Sequence, residues 1–443
     1  MSCITAITHG ISTAVRSFSF RRVLSIFALI SLSSAHVLSN DSLIVEKHGQ
    51  LRVDGNRIVD KYGHPIALHG MCLYWSQWKG GFYNYNCVKW LRDDWKCTVV
   101  RASMGVESGG YLTNPDAEKN KIITVIDACI DLGMYVIVDW HDHNAQNHLS
   151  QSISFFEEIA SVYHGVPNII YEIYNEPQIV SWSTVVKPYA DSVVQHIRAI
   201  DSLNLIIVGT PTWSQDVDVA AGSPLLYRNI AYALHFYAAT HKQLIRNKAT
   251  AALNKGAALF VSEFGTVTSS GNGTIDSAET DIWMKFMNDN TLSWCNWSIA
   301  DLTETSAALK PGTSVDGGWL DSDISISGLL IRKKLREIYE STINNVRVVS
   351  ETPSNFELQQ NYPNPFNPST TITYSLPERA KVNIEIYNLL GQKVNTIYDG
   401  VEAAGVHSVM WNAHNYSSGI YFYRMRAGGE KTFESTRKLV LIR

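Results

Sequence analysis

Two glutamates in the sequence have the type and spacing needed for acid–base and nucleophilic chemistry on a single bond. Glu176 ends the apolar run 169–176, and Glu263 lies near the end of the run 259–264. The interval between them is 87 residues (263 − 176), or three strand–helix units of 29 residues. In a closed barrel of such units, the two side chains face each other across the mouth. Cleavage of a glycosidic bond needs such a pair, since one carboxyl group protonates the leaving oxygen while the other attacks the anomeric carbon as an anion.

The residues that accompany the two glutamates predict different protonation states for them. Arg101 is expected near Glu263, where its charge lowers the pKa of that carboxyl group, and Tyr237 is expected to donate a hydrogen bond to it. Glu176 is expected farther from positive charge, in a site lined by aromatic rings, with its pKa raised. Once Glu263 has been glycosylated, the pKa of Glu176 should fall, so that it acts as a base for water.

Other polar and aromatic residues end neighbouring predicted strands. Asn175 suits the 2-hydroxyl of a sugar, a contact that strengthens in an oxocarbenium-like transition state, and Trp297 offers a surface on which a sugar ring stacks. His141 and His235 end two further strands. Taken singly, Arg101, His235 or either glutamate is equally compatible with a buried structural role. Their placement together at strand ends favours an active site.

The elements that must position these residues are short apolar runs that alternate with helical patterns from residue 66 to about 342. The predicted strands are Ile66–Leu73, Thr98–Ser103, Tyr135–His141, Ile169–Glu176, Leu205–Thr210, Tyr232–Tyr237, Leu259–Phe264 and Leu292–Trp297. Helices are predicted at Lys119–Leu132, Ser150–Val162, Thr184–Ile200, His241–Lys255 and Ser277–Asp289, and a hairpin at residues 49–60. Eight strands of this kind predict an α/β protein with a (β/α)8 TIM barrel rather than an open sheet. No Gly-x-Gly-x-x-Gly follows a strand, so nothing supports dinucleotide binding.

Length, charge and the N-terminal segment restrict the class of protein. The 443 residues fit a barrel plus a smaller module, and a formal charge of −4 provides no basic field for nucleic acid. Residues 1–35 have the basic, apolar, small-residue order of an export signal. The apolar run Val23–Leu32 is too short to span a membrane, so we expect no membrane span in the mature chain. The alternative for this segment is an amphipathic or buried helix.

Metal and disulfide chemistry receive little support from the sequence. His141 and His143 would share one face of an extended strand, with Asp139 and Asp142 adjacent, but no third ligand is evident. Cys3 leaves with the signal, and the five remaining cysteines include no Cys-x-x-Cys pair. We therefore predict no catalytic metal and no cofactor, with a structural calcium ion left as an open alternative.

A change in composition near residue 345 marks a second module. Residues 49–342 are predicted to be the catalytic module, 345–356 a linker, and 357–443 a small all-β sandwich. The last segment alternates short strands with turn residues and contains no long helix. Its predicted strands include Lys381–Tyr387, Val406–Trp411, Gly419–Arg426 and Arg437–Ile442.

A series of motifs in order runs through the barrel module. They are residues 90–95 (WLRDDW), 100–102 (VRA), 138–141 (VDWH), 171–177 (YEIYNEP), 209–217 (GTPTWSQDV), 233–237 (ALHFY), 262–265 (SEFG) and 306–312 (SAALKPG). With them, residues 49–342 resemble glycoside hydrolase family 5, specifically the bacterial endoglucanases of its second subfamily. The resemblance implies a retaining mechanism with Glu176 as acid/base and Glu263 as nucleophile. It also implies supporting roles or substrate contacts for Arg101, His141, Asn175, His235, Tyr237, Trp297, Trp78 and Trp213.

The sequence departs from that family at positions that line glucose subsites on the non-reducing side. Tyr74 stands where these enzymes usually carry His, and Gly105 replaces a Tyr. Ser298 and Leu302 replace Asn and Lys, whereas Glu304 remains. We expect Tyr74 and Glu304 to contact the substrate, and the departures to alter subsite affinity and substrate preference rather than the catalytic groups.

The C-terminal module carries three motifs of its own, at residues 361–372 (NYPNPFNPSTTI), 386–392 (IYNLLGQ) and 418–421 (SGIY). They resemble a type IX secretion sorting domain. The resemblance implies export across the inner membrane by the N-terminal signal and across the outer membrane by the tail, which is typically cleaved. The alternative is a spacer or carbohydrate-binding sandwich, in which Trp411 and Tyr421–Tyr423 would stack on sugar.

Together these features predict a secreted or cell-surface, monomeric endo-β-1,4-glucanase that hydrolyses internal bonds of cellulose or related β-glucans. The same chemistry on mannan, lichenan or xyloglucan stays open. A surface glycan-binding protein without turnover is the alternative from another class, but a binder needs neither a proton donor nor a nucleophile. Secretion machinery is the expected partner of the tail, and no nucleic acid is expected.

Overall fold

The computed structural model describes residues 43–350, 353, 355–428 and 432–442. The predicted signal segment 1–35 lies outside the described residues. Near the start of the described chain, strands β1 (Arg52–Asp54) and β2 (Arg57–Val59) pair in antiparallel fashion and form the predicted hairpin. Gly55 in its turn has φ of 61°, a conformation that glycine adopts without strain.

Eight parallel strands close into a barrel, which confirms the predicted fold. Each strand pairs with its neighbours in chain order, and the last strand returns to pair with the first. The strands are β3 (His69–Leu73), β4 (Val99–Gly105), β5 (Tyr135–His141), β6 (Ile169–Glu172), β7 (Leu205–Val208), β8 (Ile230–Tyr237), β9 (Leu259–Gly265) and β10 (Ser293–Ile299).

Helices precede the hairpin, connect the barrel strands and follow the last of them. They are α1 (Ile44–His48), α2 (Ser76–Lys79), α3 (Tyr85–Asp93), α4 (Pro115–Asp131), α5 (Leu149–Tyr163), α6 (Lys187–Ile200), α7 (Pro211–Ser214), α8 (Val217–Gly222), α9 (Gln243–Asn254), α10 (Ser277–Asp289) and α11 (Ile326–Ser350). Short 3-10 turns lie at Gly80–Phe82 and Ala145–His148, and a π-turn at Trp182–Val186 precedes α6. Helix α11 includes residues 345–350, the first half of the predicted linker. Within the described part of the chain, no helix is both long and apolar enough to cross a membrane.

Helix starts follow local sequence signals. The side chain of Asn84 accepts a hydrogen bond from the backbone N–H of Cys87 (2.8 Å) at the start of α3. Asp276 does the same for the N–H of Glu279 (3.0 Å) at the start of α10. These side chains satisfy N–H groups that the first turn of a helix leaves without a backbone partner. These two caps fix where α3 and α10 begin.

Alternation along the strands separates the barrel interior from its outer layer. On β5, Ile137 packs with interior residues, whereas Val136 and Val138 pack in the outer layer that contains the helices. The same period of two turns Asp139 and His141 inward, nearer the mouth. The interior is therefore apolar at its lower end and polar at its upper end, where the strands terminate.

Two predicted strands are shorter than expected at their C-terminal ends. Strand β6 ends at Glu172 rather than Glu176, and β7 ends at Val208 rather than Thr210. Beyond β6 the chain remains hydrogen-bonded to β5, although outside the regular strand pairing. The backbone N–H of Asn175 donates to the carbonyl of Trp140 (3.3 Å). Glu176 therefore lies on a loop that is anchored next to β5.

The C-terminal module consists of two antiparallel sheets around one apolar core, as predicted. One sheet has the order β11-β12-β15 and the other β14-β13-β16-β17. The strands are β11 (Glu357–Leu358), β12 (Ser369–Leu376), β13 (Ala380–Asn388), β14 (Lys393–Glu402), β15 (Gly405–Asn412), β16 (Gly419–Gly428) and β17 (Thr432–Leu441). The core draws Ile372 and Trp411 from the first sheet and Ile384, Tyr423 and Leu439 from the second.

Asn361 in the first C-terminal motif has a structural role. Its side-chain amide donates to the carbonyl of Pro363 (3.1 Å) and to the hydroxyl of Thr370 (2.9 Å), and its backbone N–H donates to Tyr423 (2.8 Å). Asn361 is buried, so these bonds satisfy groups that water does not reach. They fix the turn that leads into β12.

Candidate active site

The predicted site residues converge at the C-terminal mouth of the barrel. Glu263 lies on β9, His235 and Tyr237 on β8, Arg101 on β4, His141 on β5 and Trp297 on β10, with Asn175 and Glu176 just beyond β6. One oxygen of Glu176, one oxygen of Glu263 and one ring nitrogen of His235 lie within 4.8 Å of one another. The two carboxyl groups thus face the same space from opposite sides of the barrel.

Glu263 is held by one donor on each of its two oxygens. Nη1 of Arg101 donates to Oε2 (3.0 Å), and the hydroxyl of Tyr237 donates to Oε1 (2.8 Å), as the sequence predicted. Glu263 is almost fully buried. Both donors are themselves anchored on barrel strands, so the carboxylate has one orientation at the base of the cleft.

Arg101 connects four polar side chains beneath the cleft. Besides Glu263, its guanidinium bonds Glu172 through Nε (2.6 Å), and Asn175 (2.6 Å) and Asp139 (2.9 Å) through Nη2. All its donors act at fixed angles because the guanidinium group is planar. Since arginine only donates, the oxygen of the Asn175 amide must face Arg101, and its nitrogen is the end left to donate elsewhere.

A chain of hydrogen bonds leads from the barrel interior to Glu176. The hydroxyl of Ser262 donates to Glu172 (2.6 Å), so the second bond of that hydroxyl, to Nε2 of His235 (3.0 Å), must be donated by the imidazole. Nδ1 of His235 then faces Oε1 of Glu176 at 2.9 Å. One proton is held between these two atoms, on the nitrogen or on the oxygen.

The structure corrects the predicted protonation of Glu176. The carboxyl group is not remote from positive charge, because His143 contacts its second oxygen (Nε2 to Oε2, 3.3 Å) while His235 contacts the first. Burial raises the pKa of Glu176, but the hydrogen bonds from His143 and His235 outweigh burial and lower it to about 2. The pKa of His235 rises to about 9, since Glu172 and Glu176 outweigh its own burial. In the protein without substrate, the shared proton therefore resides on His235.

The structure also corrects the predicted pKa of Glu263, which is raised rather than lowered. Burial and the negative charge of Glu176 raise the pKa of Glu263, and they outweigh His235, Arg101 and Tyr237, which lower it. Arg101 acts as predicted, but its charge is divided among several acidic partners. The charges of Glu176 and His235 act on the pKa of Glu263 in opposite directions, so the three groups titrate as one coupled set.

His141 supports the aromatic floor of the cleft. Its Nδ1 lies 2.6 Å from Asp139, and its ring stacks on Trp297 with centroids 5.2 Å apart and planes 4° from parallel. Trp75 contacts the His141 ring edge-on at 4.1 Å. Burial and Arg101 lower the pKa of His141 well below its usual value, so the ring is neutral. A neutral ring packed in this way fixes the plane of Trp297.

Aromatic rings extend the cleft from Trp297 toward solvent. The Tyr74 ring lies 5.3 Å from Trp297 and 6.3 Å from Trp78, and Trp78 is 54% exposed. On another part of the rim, Trp213 is 37% exposed. The backbone N–H of Trp213 donates to the carbonyl of Pro177 (2.8 Å), the residue after Glu176. Exposed rings on both sides of the two glutamates provide the surfaces on which a sugar chain would stack.

One of the family departures, Gly105, has a visible packing reason. A Cβ at Gly105 would overlap the side-chain amide of Gln77, so this space admits no larger residue while Gln77 occupies it. Glu304 is half-buried, and its carboxylate accepts a hydrogen bond from the hydroxyl of Ser306. It acts electrostatically on Tyr74, whose pKa burial and the charges of Glu304 and Glu263 raise to about 12. Tyr74 is thus a neutral ring that replaces a titratable one.

Two groups among the described residues have the ligand types and spacing that a metal ion could use. One is Glu176, His235 and Glu263, and the other is Glu107, Asp142 and His148 at the rim. In the second group, Nδ1 of His148 already pairs with Asp142 at 2.7 Å. His141 and His143 do not form the metal pair considered from the sequence, because they contact different carboxylates. The absence of a catalytic metal stays a prediction.

Sequence reasoning missed Glu172 and Ser262, and it considered Asp139 and His143 only as metal ligands. Glu172 is fully buried and links Arg101 to Ser262. A signal for it was available, since it follows Ile170 at strand spacing and therefore points into the barrel. A carboxylate at such a position requires a buried partner. Which partner it finds is not a local property of the sequence.

Comparison with known proteins identifies both modules. Residues 59–302, more than half of the chain, match the family model described as cellulase, glycosyl hydrolase family 5. This chain belongs to glycosyl hydrolase family 5. Residues 360–442 match the model of a secretion system C-terminal sorting domain. The family 5 barrel is therefore a glycoside hydrolase, and the sorting domain indicates export to the medium or the cell surface.

Relatives of the family 5 module agree with this assignment. An endoglucanase of Clostridium saccharobutylicum is 45% identical over 324 residues, which cover 72% of each protein. Endoglucanase Z of Dickeya dadantii is 50% identical over 290 residues, covering 64% of this chain and 67% of that protein. The catalytic domain of Thermobifida fusca endoglucanase Cel5A superimposes with a TM-score of 0.64 at 35% identity, covering 66% of this chain and 99% of that one.

Proposed function

We propose that this chain is a retaining endo-β-1,4-glucanase of the second subfamily of family 5. In this proposal Glu263 is the nucleophile and Glu176 is the proton donor and later the base. The observation that carries it is the close approach of the two carboxyl groups, since one oxygen of Glu176 and one of Glu263 lie within 4.8 Å of each other. Retaining glycosidases keep their carboxyl groups about 5–5.5 Å apart, whereas inverting ones leave about 6.5–9.5 Å for a water molecule. The printed names of the relatives, endoglucanases, support the substrate class.

The first half-reaction forms a covalent intermediate. An oxygen of Glu263 forms a bond to the anomeric carbon, the glycosidic carbon–oxygen bond breaks, and the departing oxygen takes a proton from Glu176. The proton is at hand because Nδ1 of His235 lies 2.9 Å from Oε1 of Glu176. Its movement from His235 to Glu176 keeps the pair neutral overall and makes Glu176 the proton donor.

The second half-reaction restores both side chains. Glu176, now a carboxylate, removes a proton from water as the water oxygen attacks the anomeric carbon, and the bond from that carbon to Glu263 breaks. Arg101 and Tyr237 stabilise the departing carboxylate of Glu263 through the same two hydrogen bonds that hold it at rest. No net proton is consumed across the cycle.

Substrate contacts are assigned to the groups that border the two glutamates. Asn175 presents its amide nitrogen for a sugar 2-hydroxyl, since its oxygen is committed to Arg101. Trp297, supported by His141, is the stacking surface at the scissile sugar. The remaining contacts are proposed for Tyr74, Trp78, Trp213 and Glu304. Aromatic faces bind sugar rings by burying apolar C–H surface.

The module boundaries and the route of export complete the proposal. Residues 1–35 act as the signal, 49–342 as the catalytic module, 345–356 as the connection and 357–443 as the sorting domain. The tail is proposed to engage type IX secretion machinery, and the exported enzyme to be a monomer. The match of residues 360–442 to a secretion system sorting domain supports the proposed engagement of secretion machinery by the tail.

Reducing-sugar release from a soluble cellulose derivative, lichenan and mannan tests the substrate class. We expect turnover of the two glucans and much slower turnover of mannan, because mannose inverts the 2-hydroxyl that Asn175 is proposed to bind. Faster hydrolysis of mannan would assign the same chemistry to a different polysaccharide. Binding of all three without turnover would support the glycan-binding alternative.

The stereochemistry of the first product tests the mechanism. NMR of a cello-oligosaccharide digest, recorded before the product mutarotates, is expected to reveal the β-anomer first. The double displacement inverts the anomeric carbon twice and so restores its configuration. A fresh α-anomer would contradict the nucleophilic role of Glu263 and would require a water molecule between it and the sugar.

A further inference from the structure

The proposed reaction leaves one contact to Glu176 without a role. His143 follows β5, and its Nε2 lies 3.3 Å from Oε2 of Glu176, the oxygen that His235 does not contact. The two imidazoles differ in their access to water, because the side chain of His143 is 30% exposed and that of His235 is 1% exposed. His143 is therefore the partner of Glu176 that exchanges protons directly with solvent.

The position of His143 is fixed from two sides. Its backbone carbonyl accepts a hydrogen bond from the hydroxyl of Tyr174 (3.1 Å), and its ring lies 5.6 Å from the ring of Trp75. The loop around it is held by Asp142, which accepts from the N–H of Asn144 (2.7 Å). The imidazole is thus presented to Glu176 by a rigid support.

The charges that surround His143 favour its protonated form. Glu176 from the loop after β6, Glu263 from β9 and Asp142 from its own loop are negative, whereas His141 on β5 is neutral. Burial lowers the pKa of His143, but its hydrogen bond to Glu176 and these charges outweigh burial and raise it above the usual value. Across Glu176, His235 shares its proton with the same carboxyl group, and that pair is neutral overall.

We propose that protonated His143 is a positioning residue that strengthens Glu176 as the proton donor of the reaction. Proton donation turns Glu176 into a carboxylate, and a cation on Oε2 stabilises that charge as it develops. His235 cannot supply this charge, because its extra proton is the one that is transferred. The proposal rests on the proposed role of Glu176 as proton donor and adds a second imidazole to it.

The leaving group of the substrate separates this role from a structural one. Cello-oligosaccharides depart as sugar alkoxides and need a proton, whereas the dinitrophenolate of 2,4-dinitrophenyl β-cellobioside departs without one. His143→Gln keeps an N–H donor toward Glu176 and removes the charge. We expect kcat/KM on the oligosaccharide to fall by about threefold to tenfold, the effect of one nearby charge in a partly solvated site, with less than about twofold on the aryl substrate.

The pH profile provides a second readout. The wild-type enzyme should lose activity on the basic side as His143 deprotonates, before the pair of His235 and Glu176 loses its proton. In His143→Gln this limb should move to higher pH, and the two enzymes should converge in alkaline solution. His143→Lys, which carries a charge that persists to higher pH, should retain the oligosaccharide rate with the same shift of the limb. His196→Gln, at an exposed histidine that pairs with Glu157 (2.6 Å), is the control and should change neither readout.

Two results would overturn the inference. One is an equal loss on both substrates, which means that His143 supports the fold of the site rather than the proton donor. The other is a basic limb unchanged in His143→Gln. Glu176→Gln, measured in parallel, distinguishes a failure of the underlying assignment. If that variant loses no more on the oligosaccharide than on the aryl substrate, Glu176 is not the proton donor, and the proposed mechanism fails first.

Discussion

Replacing Glu263 by glutamine is expected to lower kcat on soluble cellulose derivative by about 10⁴-fold or more, the scale of loss when a nucleophile is removed from a catalytic unit. An amide has no negative charge and is a poor nucleophile, so the first half-reaction has no attacking group. The fold should persist, because the amide oxygen still accepts from Arg101, which lies 3.0 Å from Oε2. Reducing-sugar release and the thermal midpoint Tm, measured on the same preparation, check both points.

Two further variants show whether the loss reports chemistry. Glu337→Gln changes an exposed glutamate on α11 that pairs with Lys333 at 3.7 Å, and it should keep wild-type activity. Glu263→Ala with sodium azide and an aryl cellobioside should form the α-glycosyl azide, since the anion enters from the side that the carboxylate has vacated. Activity of Glu263→Gln near the wild-type level would mean that the nucleophile has been assigned to the wrong residue.

Replacing Arg101 by methionine is expected to cause the largest loss of stability in the barrel. The change leaves Asp139, Glu172 and Glu263 buried without the cation that bonds all three. Removing one partner from a buried ion pair typically costs about 3–5 kcal/mol, because the remaining charge is neither paired nor hydrated. We expect a clear fall in Tm and no measurable activity. Arg101→Lys should fold better, yet remain more than about 10²-fold slower, since an ammonium group cannot reproduce the planar fork.

A second buried arginine provides the comparison for this effect. Arg246 on α9 is almost fully buried, bonds Glu279 and lies over the ring of Trp283 at 5.0 Å. Arg246→Met should also lower Tm, but the folded fraction should retain the wild-type kcat because this ion pair lies outside the site. If Arg101→Met kept the wild-type Tm, the ion pairs of Arg101 would not stabilise the fold, and the inference from their burial would be wrong.

The sequence by itself determined the barrel and most of the residues that meet at its mouth. All eight predicted barrel strands are present, and Tyr135–His141 has the predicted bounds. Apolar runs of this length, separated by helical patterns, leave few alternatives to a closed parallel sheet. The interval between Glu176 and Glu263 then places both on the same end, because every strand of such a barrel points the same way. The C-terminal β-sandwich could be predicted equally well, since the alternation of apolar and polar residues along a strand is a local pattern.

The ends of strands and the connections between elements were predicted less well from the sequence. The strand-like sequence pattern continues to Glu176, but backbone pairing with β7 stops at Glu172. The strand therefore ends there. Helix α11 continues through residues 345–350, where a linker was predicted. Element ends depend on what the neighbouring element offers, and a one-dimensional pattern does not contain that information.

Only the tertiary structure decided how protons are distributed in the site. From the sequence, Glu176 was expected to have the raised pKa and Glu263 the lowered one. In the protein without substrate, contacts from His143 and His235 lower the pKa of Glu176, whereas burial and the charge of Glu176 raise that of Glu263. The partners of Glu172, which are Arg101 and Ser262, also became apparent only in the tertiary structure. Residue type and strand spacing specify which end of the barrel a side chain reaches. A pKa depends on distances of 3–4 Å between groups many residues apart in the chain, and those distances exist only after the barrel has closed.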